Sequence, residues 1–470
     1  MGEVTLTVTD GALGIAPQSI DGIAAKIGCC SSGTVGTVYA FSDIKTLVAT
    51  LGQGPLIEAA AHSLTVAGGP VYCIRATSST AGSAGAVTQS GTGPVVTVAG
   101  AANDAYSTKV LIVAGGALAT GTFKVSLDNG ASYGAIYTLP TGGTYLIPDT
   151  GLTLTFAAGS YVIAELYSFT SVAPMFDATA LTAALTALSA DPREWRLVHA
   201  TGQAADASGT ATLISAMDVA LTLMATNFRY VRGFIEAADT TDALLIAALA
   251  AIAPLRVGLC VGFEILNSVI SGRQYKRNCG LSVAARAVKV PVHEHLGRVA
   301  TGSLPGITSL LRDERVTPGM DTQRCTTLRT YVGLTGCYIT AGRTLAPVTS
   351  DYQLIQNGFV IDKACRSVRT SLLRFLNDSV RVNKTTGFIL EKDAQKVEVY
   401  VKGLLNTALK LGPTGPSETS DASDTSVSVS RTENILSSST LPVTVRVTPL
   451  GYMTQISVDI GLLNPALTLV

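Results

Sequence analysis

Few residues in this chain are spaced for chemistry. His293-Glu294-His295 sets two imidazoles beside a carboxylate, but i,i+2 spacing brings two rings to one side only on a strand. No third ligand follows at metal-binding spacing, so the triplet reads as a solvated edge. Gly130-Ala131-Ser132-Tyr133-Gly134 fits the G-x-S-x-G pattern. It follows an Asp128-Asn129-Gly130 turn between strands, whereas a nucleophile elbow needs a strand entering a helix, so it reads as a turn. His199 ends an apolar strand, where α/β enzymes keep catalytic groups, and reads as a hydrogen-bonded core histidine. No Walker loop and no G-x-G-x-x-G follows a strand, so the glycines that cradle phosphate are missing. Asn383-Lys384-Thr385 is a glycosylation sequon with no secretory route. These residues predict no enzyme, no cofactor and no metal.

The cysteines leave two readings open. Cys73, Cys260 and Cys337 fall in apolar strands and Cys365 on an apolar helix face, where cysteine behaves as a small hydrophobe. Cys29, Cys30 and Cys279 are expected to be accessible, Cys279 because Arg277 and Asn278 adjoin it in a loop. On neighbouring copies outside the cell such thiols either oxidise to cross-links or stay inert.

The elements that would position any site centre on Trp195 to Phe263. Apolar strands at Trp195–His199, Tyr230–Glu236 and Val257–Phe263 alternate with two helical stripes. Leu213, Met217, Leu221 and Met224 form the first stripe, and Leu244, Ala248, Leu249 and Ile252 the second. This is a βαβαβ pattern, whose strands pair in parallel and are covered on both faces.

Composition narrows the partners. The 470 residues carry 33 basic and 33 acidic side chains, only 14% of the chain is charged, and aromatics are 6%. Such a surface offers no electrostatic footprint for nucleic acid or an anionic membrane, and it does not strongly repel copies of itself. The longest uninterrupted apolar run, Leu244–Leu255, falls short of the ~20 residues of a membrane span. The start MGEVTLTVTD lacks a signal's basic and apolar regions, which predicts folding in the cytoplasm.

In chain order, Val4, Leu6 and Val8 alternate with threonines in a strand ahead of any core, an arm over 1–20. An α/β domain follows over 21–84, with helices at Ile44–Leu51 and Leu56–Ala67 and a strand at Pro70–Thr77, and it resumes over 171–324. Between them, 85–170 loses helical periodicity and shows short strands between turns such as Thr141-Gly142-Gly143, an inserted β-sandwich-like domain. A C-terminal α/β domain is expected over 325–440. It holds a strand at Cys337–Thr340, helices at Ile361–Leu376 and Ala394–Leu409, a strand near Phe388, a flexible loop over 412–426 and a strand at Val427–Ser430. A β arm then occupies 441–470, with Val443, Val445 and Val447, and Ile456, Val458 and Ile460, alternating with polar residues. Strands outside a core leave unpaired backbone groups. They either pair within their own subunit or are donated to neighbours, and donation at both ends yields an open helical lattice. The fold class is α/β (α+β) and multidomain.

The order of these parts resembles the contractile tail sheath proteins of bacteriophages. Gly342-Arg343-Thr344-Leu345, soon after Tyr331-Val-Gly-Leu-Thr-Gly336, is similar to the Gly-Ala-Arg-Thr-Leu element of sheath C-terminal domains. The basic helix DKACRSVRTSLLRFL is similar to their arginine-bearing helix, and 431–465 to the closing β segment of the Mu-like branch. The resemblance implies a helical homopolymer around a tail tube protein, with baseplate and tail-terminator proteins at its ends. It further implies a place in the virion tail after assembly in the host cytoplasm, and contraction that drives the tube through the host envelope. The alternatives are another virion structural protein, tube or decoration, or an α/β enzyme with a β appendage.

Overall fold

The computed structural model describes residues 20–202 and 204–461. In chain order the first elements are β1 (Ala24–Gly28), β2 (Val38–Phe41), α1 (Ile44–Leu51), α2 (Pro55–Ala67) and β3 (Val71–Arg75). A run of short strands follows: β4 (Ser83–Ala84), β5 (Thr88–Ser90), β6 (Val96–Gly100), β7 (Ser107–Ala114), β8 (Thr122–Ser126), β9 (Ile136–Thr138), β10 (Thr144–Ile147), β11 (Leu152–Phe156) and β12 (Leu166–Val172). Alternation then returns with α3 (Ala178–Ala190), β13 (Leu197–Ala200), α4 (Ala207–Thr226), β14 (Arg232–Glu236), α5 (Asp242–Leu249) and β15 (Val257–Cys260). Next come β16 (Phe263–Asn267), β17 (Gln274–Asn278), α6 (Gly280–Lys289), β18 (Ile307–Leu310), β19 (Leu328–Arg329), β20 (Tyr338–Ile339) and α7 (Ile355–Leu373). The last elements are α8 (Glu391–Ala408), β21 (Asp424–Val429), α9 (Ile435–Ser438) and β22 (Val443–Thr448). The fold is multidomain α/β, and by its own contacts the chain divides after Leu376 into two compact units.

The first unit is built on a six-stranded sheet ordered β15-β14-β13-β1-β3-β2, parallel except for edge strand β2. Helices α3, α4 and α5 cover one face, where Ile27, Val198, Ile235 and Leu259 meet Leu185, Leu213, Met217 and Leu221. On the other face Leu47, Leu51, Leu56, Ile57 and Ala60 pack with Val71 and Cys73. Local chemistry starts the helices: Asp43, Asp177 and Asp206 each accept a backbone N–H at their own N-terminus, and Pro55 opens α2. The central strand β1 (AAKIG) has no counterpart among the sequence expectations, because Lys26 interrupts its apolar pattern. The stretch expected as one strand from Val257 to Phe263 is two. Gly262, at φ 114°, ends β15 and turns the chain into β16 of a separate antiparallel sheet.

Strands β4 to β12 form two antiparallel sheets, β10-β11-β6 and β4-β12-β7-β8-β9, the latter also joined by β5. Val110, Ile112, Phe123, Leu154, Phe156 and Tyr167 fill the space between them, with the Phe123 and Phe156 rings 4.9 Å apart. Arg273, just before β17, and Arg277, on it, converge on the buried Asp104 of this region. Their charges hold the Asp104 carboxyl below the usual range against its desolvation.

Residues 325–376, expected in a C-terminal domain, lie in the first unit. Leu345 is in the core of the central sheet, and Thr326 bridges Cys260 at the end of β15. Helix α7 begins at Ile355, six residues before the expected Ile361. Its buried Asp362 accepts from Arg232 Nε at 2.9 Å and from Arg256 Nη1 at 3.1 Å. The second unit is smaller. Its α8 buries Val397, Val401 and Leu405, and its β21 and β22 form a two-stranded antiparallel ribbon.

Candidate assembly interface

The C-terminal alternation begins as a strand. In β22, Val443, Val445 and Val447 are half-buried while Thr444, Arg446 and Thr448 are exposed. The register sets Val443 opposite Val429, Val445 opposite Val427 and Val447 opposite Thr425. These three valines, expected in an inter-subunit strand, therefore pair within their own chain. The reason is local: a matching alternation lies just upstream in β21, at short loop-closure cost. Loop residues 424–426, expected to be flexible, belong to that strand.

Side chains of α8 hold the ribbon. Glu398 accepts from the Val429 N–H at 2.7 Å, and Thr425 Oγ1 donates to Asn406 Oδ1. Arg431 bridges Glu391 at 2.9 Å and Glu398 at 3.0 Å; those carboxylates raise its pKa. Among the described residues β22 has β21 as its only strand partner. In an antiparallel strand every second residue turns its N–H and C=O away from the partner, so among the described residues the far edge of β22 is unpaired.

Beyond Pro449 the expected second strand is absent. Residues 450–461 form no strand, and Ile456, Val458 and Ile460 are 73%, 69% and 87% exposed, with Met453 at 89%. Among the described residues these three apolar side chains belong to no strand and to no core cluster. Val4, Leu6 and Val8 lie outside the described residues.

The candidate chemical residues are held by structural bonds. His199 sits within 3.2 Å of Lys26 Nζ and 3.1 Å of Glu236, fully buried between β1 and β14. Burial brings the Lys26 pKa down to about 8, and burial together with Lys26 lowers that of His199. Glu236 also accepts from the Gly202 N–H at 2.8 Å. Ser132 donates to Asp128, which also accepts from the Ser132 N–H, in a turn where Asn129 and Gly130 have φ of 60° and 89°. That is turn chemistry, with the hydroxyl occupied. Glu294 accepts from Arg298 at 3.1 Å, and His295 Nδ1 from the Gly297 N–H at 3.1 Å. Among the described residues no three of His, Cys, Asp and Glu are grouped to hold a metal ion.

Cys29, Cys30 and Cys279, expected to be accessible, are buried at 3%, 6% and 1% exposure. Burial pushes the first two thiols up to about 12 and about 11; contact with Cys260, reinforced by burial, raises the third. The loop chemistry around Cys279 points inward. Arg277 reaches Asp104, and the Asn278 amide donates to the Ala237 and Cys260 carbonyls at 3.1 and 3.2 Å.

The Gly342-Arg343-Thr344-Leu345 element is a clamp. Arg343 pairs with Asp321 through two bonds of 2.8 and 2.9 Å, the Thr344 hydroxyl donates to the Tyr352 carbonyl, and Leu345 is fully buried. A Cβ at position 342 would lie 2.6 Å from Leu296. On α7, Lys363 meets Asp21 at 3.0 Å and Arg366 donates to the Tyr230 carbonyl at 2.9 Å.

Residues 1–343 match the family described as DUF2586, N-terminal domain, and residues 351–467 match DUF2586, C-terminal domain. The chain belongs to the DUF2586 family. The junction between the two DUF2586 regions falls in the clamp and the loop before α7, about a helix length before the division between compact units. No curated protein matches the sequence. Among solved structures, this DUF2586 protein is similar to a chain in the baseplate of the anti-feeding prophage (AFP) over 98% of each chain, with 9% identity and a TM-score of 0.54. It is similar to a chain in the AFP baseplate in its contracted state over 98% of this chain and 97% of that one, with 12% identity and a TM-score of 0.54. A match to the sheath tail protein Lin1278 from Listeria innocua covers 92% and 96% of the two chains at 10% identity and a TM-score of 0.46. The AFP likenesses extend the shared fold along nearly the whole DUF2586 chain.

Proposed function

We propose that this DUF2586 protein is the repeating subunit of a contractile tail sheath, of the Mu-like branch, that polymerises helically around a tail tube. Copies are linked by exchange of terminal β segments. The observation that carries this reading is the segment 450–461: regular alternation at Ile456, Val458 and Ile460, which are largely exposed, and no strand partner among the described residues, in the same chain as a ribbon whose β22 has only β21 beside it among those residues. A segment of this kind completes the sheet of a second copy, with Val4, Leu6 and Val8 acting likewise from the other end. The whole-length likenesses to a chain of the AFP baseplate and to a chain of the AFP baseplate in contracted state support the setting.

The energetics suit a lattice that changes shape without falling apart. A link of about 4 to 8 backbone hydrogen bonds, at ~1 kcal/mol net each, holds while rigid units repack. No nucleotide is required, because the free energy is stored in the folded assembly. The tube protein, baseplate and tail-terminator proteins are the partners this role demands, and the virion tail is its place.

The test is deletion of residues 450–470, and separately of 1–9, with negative-stain microscopy of the purified protein. Both truncated forms remain folded by circular dichroism and yield monomers, while the full chain yields tubes. Tubes of normal width from both truncations would refute the reading.

A further inference from the structure

Two five-residue segments of the second unit share one pattern. Val443-Thr444-Val445-Arg446-Val447, most of β22, alternates apolar and polar residues with a cation at the fourth position. Ile456-Ser457-Val458-Asp459-Ile460 alternates in the same phase with an anion at the fourth, 13 residues further on. Both charges are exposed, and among the described residues neither has an ion-pair partner. Across the ladder Arg446 faces Ser426, while the carboxylate of that strand, Asp424, faces Thr448.

The backbone of β22 says where a further strand would bond. Ser430 N–H donates to the Pro442 carbonyl at 2.9 Å, one step beyond the Val429–Val443 pair. Bonded and non-bonded pairs alternate along an antiparallel ladder. The N–H and C=O groups of Thr444, Arg446 and Thr448 are therefore turned to β21, and those of Val443, Val445 and Val447 to the far edge, which is unpaired among the described residues. A parallel strand added there at the 13-residue offset sets Ile456 beside Val443, Val458 beside Val445 and Ile460 beside Val447. The same register sets Asp459 beside Arg446, so it extends the half-buried valine face and pairs the two exposed charges at once. No antiparallel register does both. The one that matches all three apolar pairs puts Asp459 beside Thr444, and the one that matches the charges puts Ile456 beside Pro449. Residues 4–8 offer the same alternation, but with threonine at each polar position they bring no anion.

We propose that residues 456–460 of one copy add to β22 of the next as a parallel strand, with Asp459 beside the Arg446 of that copy. The occupant is a second copy because the chain is too short to supply the strand to itself. A parallel return needs a crossover of about a dozen residues or more, and only Pro449 to Gln455, with no helix among them, separate β22 from Ile456. One parallel strand on an antiparallel ribbon makes a mixed sheet, a common arrangement. Resting on the strand-exchange reading, this link gains a direction. A tail that keeps the heading of β22 sets the β22 strands of linked copies at most about 45 Å apart, and the contact, being heterologous, repeats without closing.

The test reverses the charges in the full chain: Arg446→Asp, Asp459→Arg and the two together. Both positions are exposed, and circular dichroism checks the fold. Each single change sets like charges side by side and raises the protein concentration needed for tubes about tenfold; the double change restores the wild-type value. A Thr444→Cys form mixed with a Ser457→Cys form gives disulfide-linked pairs in diamide-oxidised tubes, whereas Thr444→Cys mixed with Asp459→Cys gives none, with unchanged protein as the blank. Linkage of the Thr444 and Asp459 positions instead, single charge changes without effect, or tubes from protein lacking only 450–470 would overturn this register and leave the sheath reading standing. Tubes of normal width from both truncations, that one and the removal of 1–9, refute the strand-exchange reading itself.

Discussion

Replacing Asp362 by Ala tests why α7 belongs to the first unit. In the native protein the Asp362 side chain is 3% exposed and shared by Arg232, itself 2% exposed, and Arg256, which is 19% exposed. Arg232 is bonded at Nε and Nη2 to the carboxylate and at Nη1 to Leu255 O at 2.8 Å. Burial already lowers its pKa against the counter-effect of Asp362. Removing the carboxylate leaves a buried guanidinium with one carbonyl partner. Breaking a buried pair from one side costs about 3–5 kcal/mol. The retained Leu255 bond and the partial access of Arg256 to water place this case at the lower end, about 3 kcal/mol, roughly a hundredfold in the folding constant. The assay is urea unfolding followed by tryptophan fluorescence. The chain has one tryptophan, Trp195, 1% exposed in the core of the first unit, so the signal reports that unit alone. Far-UV circular dichroism on the same samples follows both units. A loss below about 1 kcal/mol, or a tryptophan transition unchanged while dichroism shifts, would refute the assignment of α7 to this core.

Two further outcomes follow from burial. Lys26→Met stabilises the protein at pH 7: the Lys26 pKa falls from 10.5 to about 8 on folding, so the folded state disfavours the proton. That penalty, on the order of 3 kcal/mol, is present in full below about pH 8 and fades as pH rises toward 10.5. Paired denaturation curves at pH 7 and pH 10 check it, and an advantage for the variant that is equal at both pH values would count against it. With all eight cysteines free and seven of them buried, the native protein reacts slowly with a thiol reagent, whereas urea exposes eight thiols. Non-reducing electrophoresis of assembled tubes then gives monomer; ladders of cross-linked chains would mean that assembly opens these sites.

What was legible in the sequence depended on distance. β13, α4, β14, α5 and β15 follow from periodicity, because each buries an apolar face whose spacing is written locally. The central strand β1 was hidden because Lys26 stands in its middle. The reason it can stand there, His199 on a strand 173 residues away, leaves no local mark. The same holds for α7. Its helical stripe is readable, but the unit it joins is decided by Arg232 and Arg256, 130 and 106 residues away. Cys279 looked accessible because Arg277 and Asn278 flank it, and local charge was a poor guide once both side chains turned inward. For β22 the alternation fitted two partners equally, and only the matching register in β21 decides between them.

That decision sharpens the assembly argument. Had β22 been free, it would itself have been the donated strand, and the ribbon would have had no acceptor. Because β22 closes onto β21 and the segment after Pro449 does not, the proposed exchange has its donor and acceptor in separate parts of one chain: the exposed tail at 450–461 and the β22 edge that is unpaired among the described residues. A tail that returned to its own β22 would have to reverse direction within a few residues, and the described residues show no hairpin there. In the proposed exchange a tail that continues outward meets the edge of another copy without that reversal, and each copy leaves its own edge to a third. On that proposal, donation propagates with no free partner left over except at the two ends of the assembly, where it predicts that proteins of a different kind cap it.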